Sequence, residues 1–444
     1  MYTPHTDKDR AEMLKAAGVS SVEELLKQIP SGLRQSAFNI PDALNEPQLA
    51  AHMSALADKN SKLVNFSGGG AYEHYIPAAL RAIVSRGEFV TAYTPYQAEA
   101  SQGTLQAIYE YQSTVCALFE MDASNASLYD GSTALAEAVN AALRITCKTK
   151  VVLPQALNPQ YKRTLQTYFA PNHAVTFVEV SCRTGGMDIA ALTDAAKDAA
   201  CVILANPNYF GCLENADEIS RVAKAAGALL VAVVNPISLG VVRSPGSYNA
   251  DIAVAEGQPL GNTLGYGGPY LGMFACKKEH LRHIPGRICG ITKDLDGKRA
   301  FVLTLQAREQ HIRREKAASN ICSNEALCAL AATVYSALLG PQGLREIGEL
   351  NLEAAHSLAE KIAALPGFKI KFAKTPYFNE FVVECPGDAA ELRDAALKDG
   401  ILAGIPLGDF SPAFKNCLLV CATETKTPAC FDAFAAALRK HANA

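Results

Sequence analysis

No stretch of this chain reaches the roughly 18 consecutive apolar residues of a membrane-spanning helix, so no membrane partner is expected. The opening residues, MYTPHTDKDRAEMLKAAGV, carry charges early and lack an apolar core, so no signal peptide is expected either. There is no excess of positive charge. Lys and Arg number 41 against 44 Asp and Glu, a formal net charge of -3, which argues against nucleic acid as a partner. No CxxC pair occurs. The 13 cysteines are odd in number and lie mostly in apolar runs, as at Cys201, Cys276, Cys417 and Cys421. Cys417 and Cys421 lack a second pair at metal-binding spacing, and His280 with His283 has no third ligand nearby and reads as a surface helix. The expectation is therefore reduced core thiols, no metal and a reducing, cytoplasmic location.

What the chain does have is bulk and apolar content. Its 444 residues are 49% hydrophobic and 19% charged, a globular composition. A single core rarely extends past about 250 to 300 residues, so more than one domain is expected. Residues 1–60 read as an arm of short helices, with Ser21 capping Glu23 and Glu24, and with Pro30, Pro41 and Pro47 as breaks. Residues 61–335 read as a large domain. A glycine-rich loop (Asn65 to Gly70), an irregular segment (Thr91 to Gln97) and a long helix near 101–120 come first. Short apolar runs at 150–153, 175–180, 201–205, 229–234, 252–255 and 271–276 then alternate with helical patterns such as Asn215 to Ala226. Apolar runs of this kind suit strands buried on both faces, so the fold class is α/β with a mostly parallel sheet. A helix over 324–339, a break at Gly340 to Gly343, a helix over 344–364 and three further strands give a smaller α+β domain at 336–444.

Open α/β sheets bind ligands beyond the carboxyl ends of their strands. One strand here ends in Asn206-Pro207 and another in Asn235-Pro236. The helix near residue 133 begins at Gly131, Ser132 and Thr133, whose amides and hydroxyls suit an anion or, more plainly, an ordinary helix cap. With the glycine-rich stretch Gly265 to Pro269, this order resembles the large domain of fold-type-I pyridoxal-phosphate enzymes. The resemblance implies an aspartate at the end of the 229–234 strand, facing the pyridine nitrogen, and a Schiff-base lysine some twenty to thirty residues later. This chain departs at both points. Asn235 stands in place of the aspartate, and no lysine occurs between Arg243 and Lys277. Pro259 falls at the lysine position with Gln258 before it, and a proline has no amine to join to an aldehyde.

The strings AYTPYQAEASQGTLQ (92–106), YDGSTALAEA (129–138), EGQPLGNTLGYGGPYLG (256–272), GRICGITKDLDGKRAFVLTLQAREQHIRREKAASNIC (286–322) and GPQGL (340–344) narrow the resemblance. They resemble the alpha-subunit family of bacterial two-chain glycine decarboxylase, the P protein of the glycine cleavage system. The similarity covers essentially the whole chain. In that family the complete enzyme decarboxylates glycine with pyridoxal phosphate and passes the aminomethyl group to the lipoyl arm of the H protein. The beta subunit holds the cofactor covalently, and the alpha subunit pairs with it and walls the site. By that resemblance this chain carries no catalytic lysine of its own.

Its candidates for residues lent to the partner site are Tyr93, Thr94, Tyr96 and Gln97, then His74 after the triple glycine, then Arg308, Arg313 and Asn320. Each has a blander reading: packing tyrosines, a turn histidine, a solvated charged face or a docking surface. Gly131, Ser132, Thr133, Asn206, Asn235 and Gln258 mark the vestigial cofactor cleft. Two other readings stand beside the main one. A self-sufficient pyridoxal enzyme would recruit Lys277 or Lys293, and a pure scaffold would lend no residue at all.

Overall fold

The computed structural model describes residues 4–35 and 39–442. Met1–Ser61 and Lys62–Ala444 are two separate units. In the first unit lie helices Asp7–Ala16, Val22–Leu25 and Glu46–Ala57 and a single 3-10 turn, Ser31–Leu33. The expected cap at Ser21 is present, its hydroxyl accepting from Glu24 N. None of the residues of these helices is buried, so local capping rather than a core defines them.

The second unit is built on a seven-stranded sheet. In spatial order its strands are Ala123–Ser124, Gly272–Cys276, Ile252–Glu256, Leu229–Val234, Ala199–Asn206, Lys150–Pro154 and Thr176–Val180. The last five run parallel, and Gly272–Cys276 lies antiparallel beside Ile252–Glu256. The 199–206 and 252–256 strands are buried at every residue, as unbroken apolar runs require when helices cover both faces. Helix Gly131–Thr146 packs on the sheet through Ala134, Leu135, Ala138, Val139, Ala141 and Ala142. Register then builds the site. Asn206 pairs with Val234 and Val234 with Ala255, so the segments leaving these strands sit side by side at one edge.

A four-stranded antiparallel sheet, in the order Lys369–Ile370, Glu380–Glu384, Cys417–Cys421 and Ile405–Pro406, forms the C-terminal part. Helix Ala326–Ala363 connects the two sheets. It is interrupted at the expected glycine, Gly340, whose φ of 62° is non-helical. By length and apolarity alone this helix could cross a membrane. Its first half instead buries Cys328, Ala331, Ala332 and Tyr335 in the main core, and its second half buries Ala355, Leu358 and Ile362 against Phe381 and Val383.

The structure differs from the sequence reading in three places. The boundary at 335/336 does not separate two units, because Lys62–Ala444 is one. Val64–Asn65 pairs with Ile401–Leu402, and Phe66 packs on Phe434 at 4.5 Å, so the start of the expected large domain belongs with the C-terminal core. Residues 306–316, for which the sequence reading set no fold, form no single helix. Leu305 and Arg314 take positive φ and divide the run into short turns. Ile288–Lys293 and Arg299–Thr304 form an unexpected hairpin.

Candidate functional site: a filled cleft and an exposed aromatic face

The carboxyl edge of the main sheet forms a cleft lined by Tyr72, Tyr161, Asn208, Asn235, Glu256 and Glu380, among others, with a cavity of about 70 Å³. Through Glu256 the cleft is linked to the start of helix Gly131–Thr146. Asp130 caps that helix, accepting from Thr133 N at 2.9 Å and from the Ser132 hydroxyl at 2.6 Å. Gly131 N donates to Glu256 Oε2 at 2.9 Å. The other carboxyl oxygen of Glu256 accepts from Gln258 N at 2.9 Å and Leu271 N at 3.0 Å. Burial pushes the Glu256 carboxyl up to about 8 against the pull of these three amides, and Asp130 nearby adds to the rise. Only glycine fits at position 131. A Cβ there would lie 2.1 Å from Tyr161 Oη and 2.8 Å from Glu256 N.

The triple glycine closes on a second carboxyl. Glu380 Oε1 accepts from Gly69 N at 2.6 Å, and its Oε2 accepts from the Tyr72 hydroxyl at 2.7 Å. A Cβ at Gly68 would stand 2.2 Å from Glu380 Oε1. The close approach that glycine permits is thus to this side chain and not to a ligand. Glu380 is also raised, to about 7, by burial that outweighs the two hydrogen bonds.

The other sequence-marked cleft residues are largely committed to structure. Asn206 accepts from Glu214 N at 3.1 Å. Gln258 grips the Tyr72 peptide from both ends, at 3.0 Å each, and donates to Asn262 O at 2.8 Å. Asn235 accepts from Ile237 N at 3.0 Å, while its buried Nδ2 has no partner. Pro259 follows Gln258 in the turn after the strand, and no lysine lines the cleft. Lys277 follows the antiparallel Gly272–Cys276 strand, so it emerges at the opposite edge from Glu256, paired to Asp251 at 2.5 Å. Lys293 ends the first strand of the hairpin and is exposed. Neither is placed to serve the cleft.

The pyridoxal phosphate that this fold implies does not fit here. Ligand pockets of that class run from roughly 300 Å³ upward, whereas this cavity is about 70 Å³. The helix amides that suit a phosphate already face Asp130 and Glu256. The neutral Asn235 amide offers no negative charge to a pyridinium.

The candidates for lent residues divide sharply. His74 is not available. Its side chain is 2% exposed, and its Nδ1 meets Glu424 Oε2 at 2.9 Å. Glu424 also accepts from Tyr75 N and Asn351 Nδ2. Burial acts to raise Glu424, yet these partners hold it below the ordinary carboxyl value. Arg308 is likewise removed as a bidentate clamp. Its guanidinium donates to the carbonyls of Ile284, Gly286 and Leu305, and burial lowers its pKa. Arg313 and Asn320 are exposed, with Arg313 Nε on Ala307 O at 3.1 Å. The surface-helix reading of His280 is also corrected, since it lies buried at the end of a single 3-10 turn.

The Tyr93 to Gln97 loop remains open. Tyr93 is 83% and Tyr96 68% exposed, and Gln97 is exposed as well. Thr94 is half-buried, with a hydroxyl that has no partner. Arg287, which the sequence reading passed over, lies under this loop. It is buried, its guanidinium stands 5.5 Å from the Tyr96 ring centroid, and its Nη2 is 3.3 Å from the Tyr96 hydroxyl. A lone arginine between Gly286 and Ile288, just before strand Ile288–Lys293, gave no signal that the sequence reading could use. Beside this face the hairpin exposes Ile291 and Leu295, and Gln102 anchors it by bonding both Phe301 N and Phe301 O.

Comparison with known proteins gives a consistent result. A profile of the family described as "Glycine cleavage system P-protein" matches residues 1–435. The chain is 50% identical over 440 residues to "Probable glycine dehydrogenase (decarboxylating) subunit 1" of Moorella thermoacetica, covering 99% of each. It is 48% identical to the protein of the same name from Desulfitobacterium hafniense, over 98% of this chain and 99% of that one. Among solved structures it superposes on an inhibitor-bound glycine decarboxylase (P-protein) of the glycine cleavage system with a TM-score of 0.92 and 40% identity, covering 99% of both chains. Glutamate decarboxylase of Lactobacillus brevis shares the fold alone, with a TM-score of 0.69 at 12% identity over 96% of this chain and 98% of that one.

Proposed function

The chain belongs to the glycine cleavage system P-protein family, and from that premise we propose that it is the subunit without a Schiff-base lysine in a two-chain, cytoplasmic glycine decarboxylase. With the second subunit it decarboxylates glycine and delivers the aminomethyl group to the lipoyl arm of the H protein. The single observation that carries this reading is the turn after strand Ile252–Glu256, where Gln258 and Pro259 stand in place of a lysine in a chain otherwise matched end to end by relatives named subunit 1.

On this reading pyridoxal phosphate sits on the partner chain, and no chemical step is assigned to the cleft here. This chain contributes through its open face. Tyr93, Tyr96 and Gln97 stand ready to close over a neighbouring site, with Arg287 fixing the Tyr96 ring from below. Two such chains in contact exclude water from a reacting centre, which strengthens every electrostatic contact inside it. Exposed Ile291 and Leu295 on the hairpin fit an apolar protein contact better than solvent.

The test is glycine–bicarbonate carbon exchange, with H protein and pyridoxal phosphate, for this chain alone, for the second subunit alone and for the mixture. Exchange in the mixture only, with borohydride fixing the cofactor to the second subunit, is the expected result. Exchange or fixation with this chain alone would overturn it.

A further inference from the structure

Two glycines from distant parts of the chain each give a backbone N–H to a buried carboxyl, and both carboxyls line the same cleft. Gly131 N meets Glu256 at 2.9 Å across 125 residues of sequence, and Gly69 N meets Glu380 at 2.6 Å across 311. Glu256 is 9% and Glu380 4% exposed, and both line the cavity together with the unpartnered Nδ2 of Asn235. The backbone is shaped to admit them. A Cβ at Gly211 would lie 1.9 Å from Glu380 O, and the one at Gly131 would meet the Glu256 backbone. We propose that the Glu256 and Glu380 carboxyls are built-in acceptors that take the two glycine amide donors of this cleft and close it to phosphate-bearing ligands.

A carboxyl oxygen takes the same backbone donors as a phosphate oxygen. One that is covalently part of the fold pays no entropy of association, so a free phosphate competes at a disadvantage. A phosphate that did enter would also set its charge beside the Asp130 carboxylate that caps the helix. Burial holds both glutamates partly protonated near neutral pH, yet in either form they fill the space and accept from the glycine amides. The inference goes beyond the functional reading above, which requires only that the chain lack a Schiff-base lysine.

The experiment uses the complex of this chain with its second subunit, saturated with pyridoxal phosphate so that the partner site is occupied. Inorganic phosphate is the probe, followed by equilibrium dialysis of labelled phosphate. The wild-type complex is expected to show no saturable site. Glu256→Ala should create one site per copy of this chain, with affinity at least about 10-fold above any wild-type background, a change of about 1.4 kcal/mol. Glu256→Gln, which fills the same space, should not. Saturable phosphate binding by the wild-type complex overturns the proposal, and this arm holds even if Glu256→Ala fails to fold. Absence of a new site in a folded, assembled Glu256→Ala complex also overturns it. Borohydride fixation of cofactor to a lysine of this chain would instead overturn the functional reading, so the two failures are distinguishable.

Discussion

The sheet-edge cleft and the Tyr93 to Gln97 face look alike in sequence, since both are loops of proline, aromatic and polar residues. In three dimensions they are opposites. In the cleft most polar groups are matched from within: Gly131 and Gly69 by glutamates, the Tyr72 peptide by Gln258, and Asn206 by Glu214 N. On the face, two tyrosines stand out in solvent over one buried arginine. A site that satisfies itself has nothing left with which to bind. A site that leaves aromatic surface exposed over a buried cation has contacts still to make. On the reading proposed above the chain's role belongs to its face, while its cleft is filled from within.

The comparison is broken most directly by removing a filling carboxyl. Glu380→Ala strands Gly69 N and the Tyr72 hydroxyl in a buried setting, and should cost about 3 kcal/mol of stability, read from the shift in urea midpoint. A loss below about 0.5 kcal/mol would mean that the cleft is not core. The opposite pattern is expected on the face. Tyr96→Phe removes the hydroxyl contact to Arg287 and should lower exchange turnover by about 10-fold, with assembly and urea midpoint unchanged. Unchanged turnover in an assembled complex would favour the pure-scaffold reading.

A subtler separation comes from pH. Glu256 and Glu380 hold their protons more tightly in the folded chain, at about 8 and about 7 against an ordinary 4.5. Their stabilising contribution is thus full below pH 4.5 and is lost as pH rises through 7 and then 8. The melting temperature should fall by a few degrees over that window, and Glu256→Gln should flatten the upper part of it. A melting temperature that rises steadily from pH 5 to 8 would contradict these shifts. The smallest effect is expected at Arg313, exposed and bonded only through Nε to Ala307 O. Arg313→Ala should change stability by less than about 0.5 kcal/mol, leaving any fall in affinity for the second subunit or H protein as a clean report of docking.

Much of the fold was legible because the signals were local. The buried strands Ala199–Asn206 and Ile252–Glu256 announced themselves as apolar runs, and Gly340 as the break in a long helix. Arg308 misled because a charge in a polar run looks exposed until its guanidinium meets the carbonyls of Ile284 and Gly286. His74 misled because a histidine after three glycines looks exposed until Glu424, 350 residues away in sequence, closes on it.

The sequence by itself determined that no lysine could stand after strand Ile252–Glu256, since Pro259 has no amine in any conformation, and that an asparagine follows the strand ending at Val234. Only the tertiary structure decided what replaced the missing ligand. Nothing local links Glu380 to Gly69 or Glu256 to Gly131. The packing of helix Gly131–Thr146 on the main sheet brings Glu256 to Gly131, the pairing of Glu380 with Cys421, itself bonded to Phe66 O, brings Glu380 to Gly69, and burial makes each pairing obligatory once they meet.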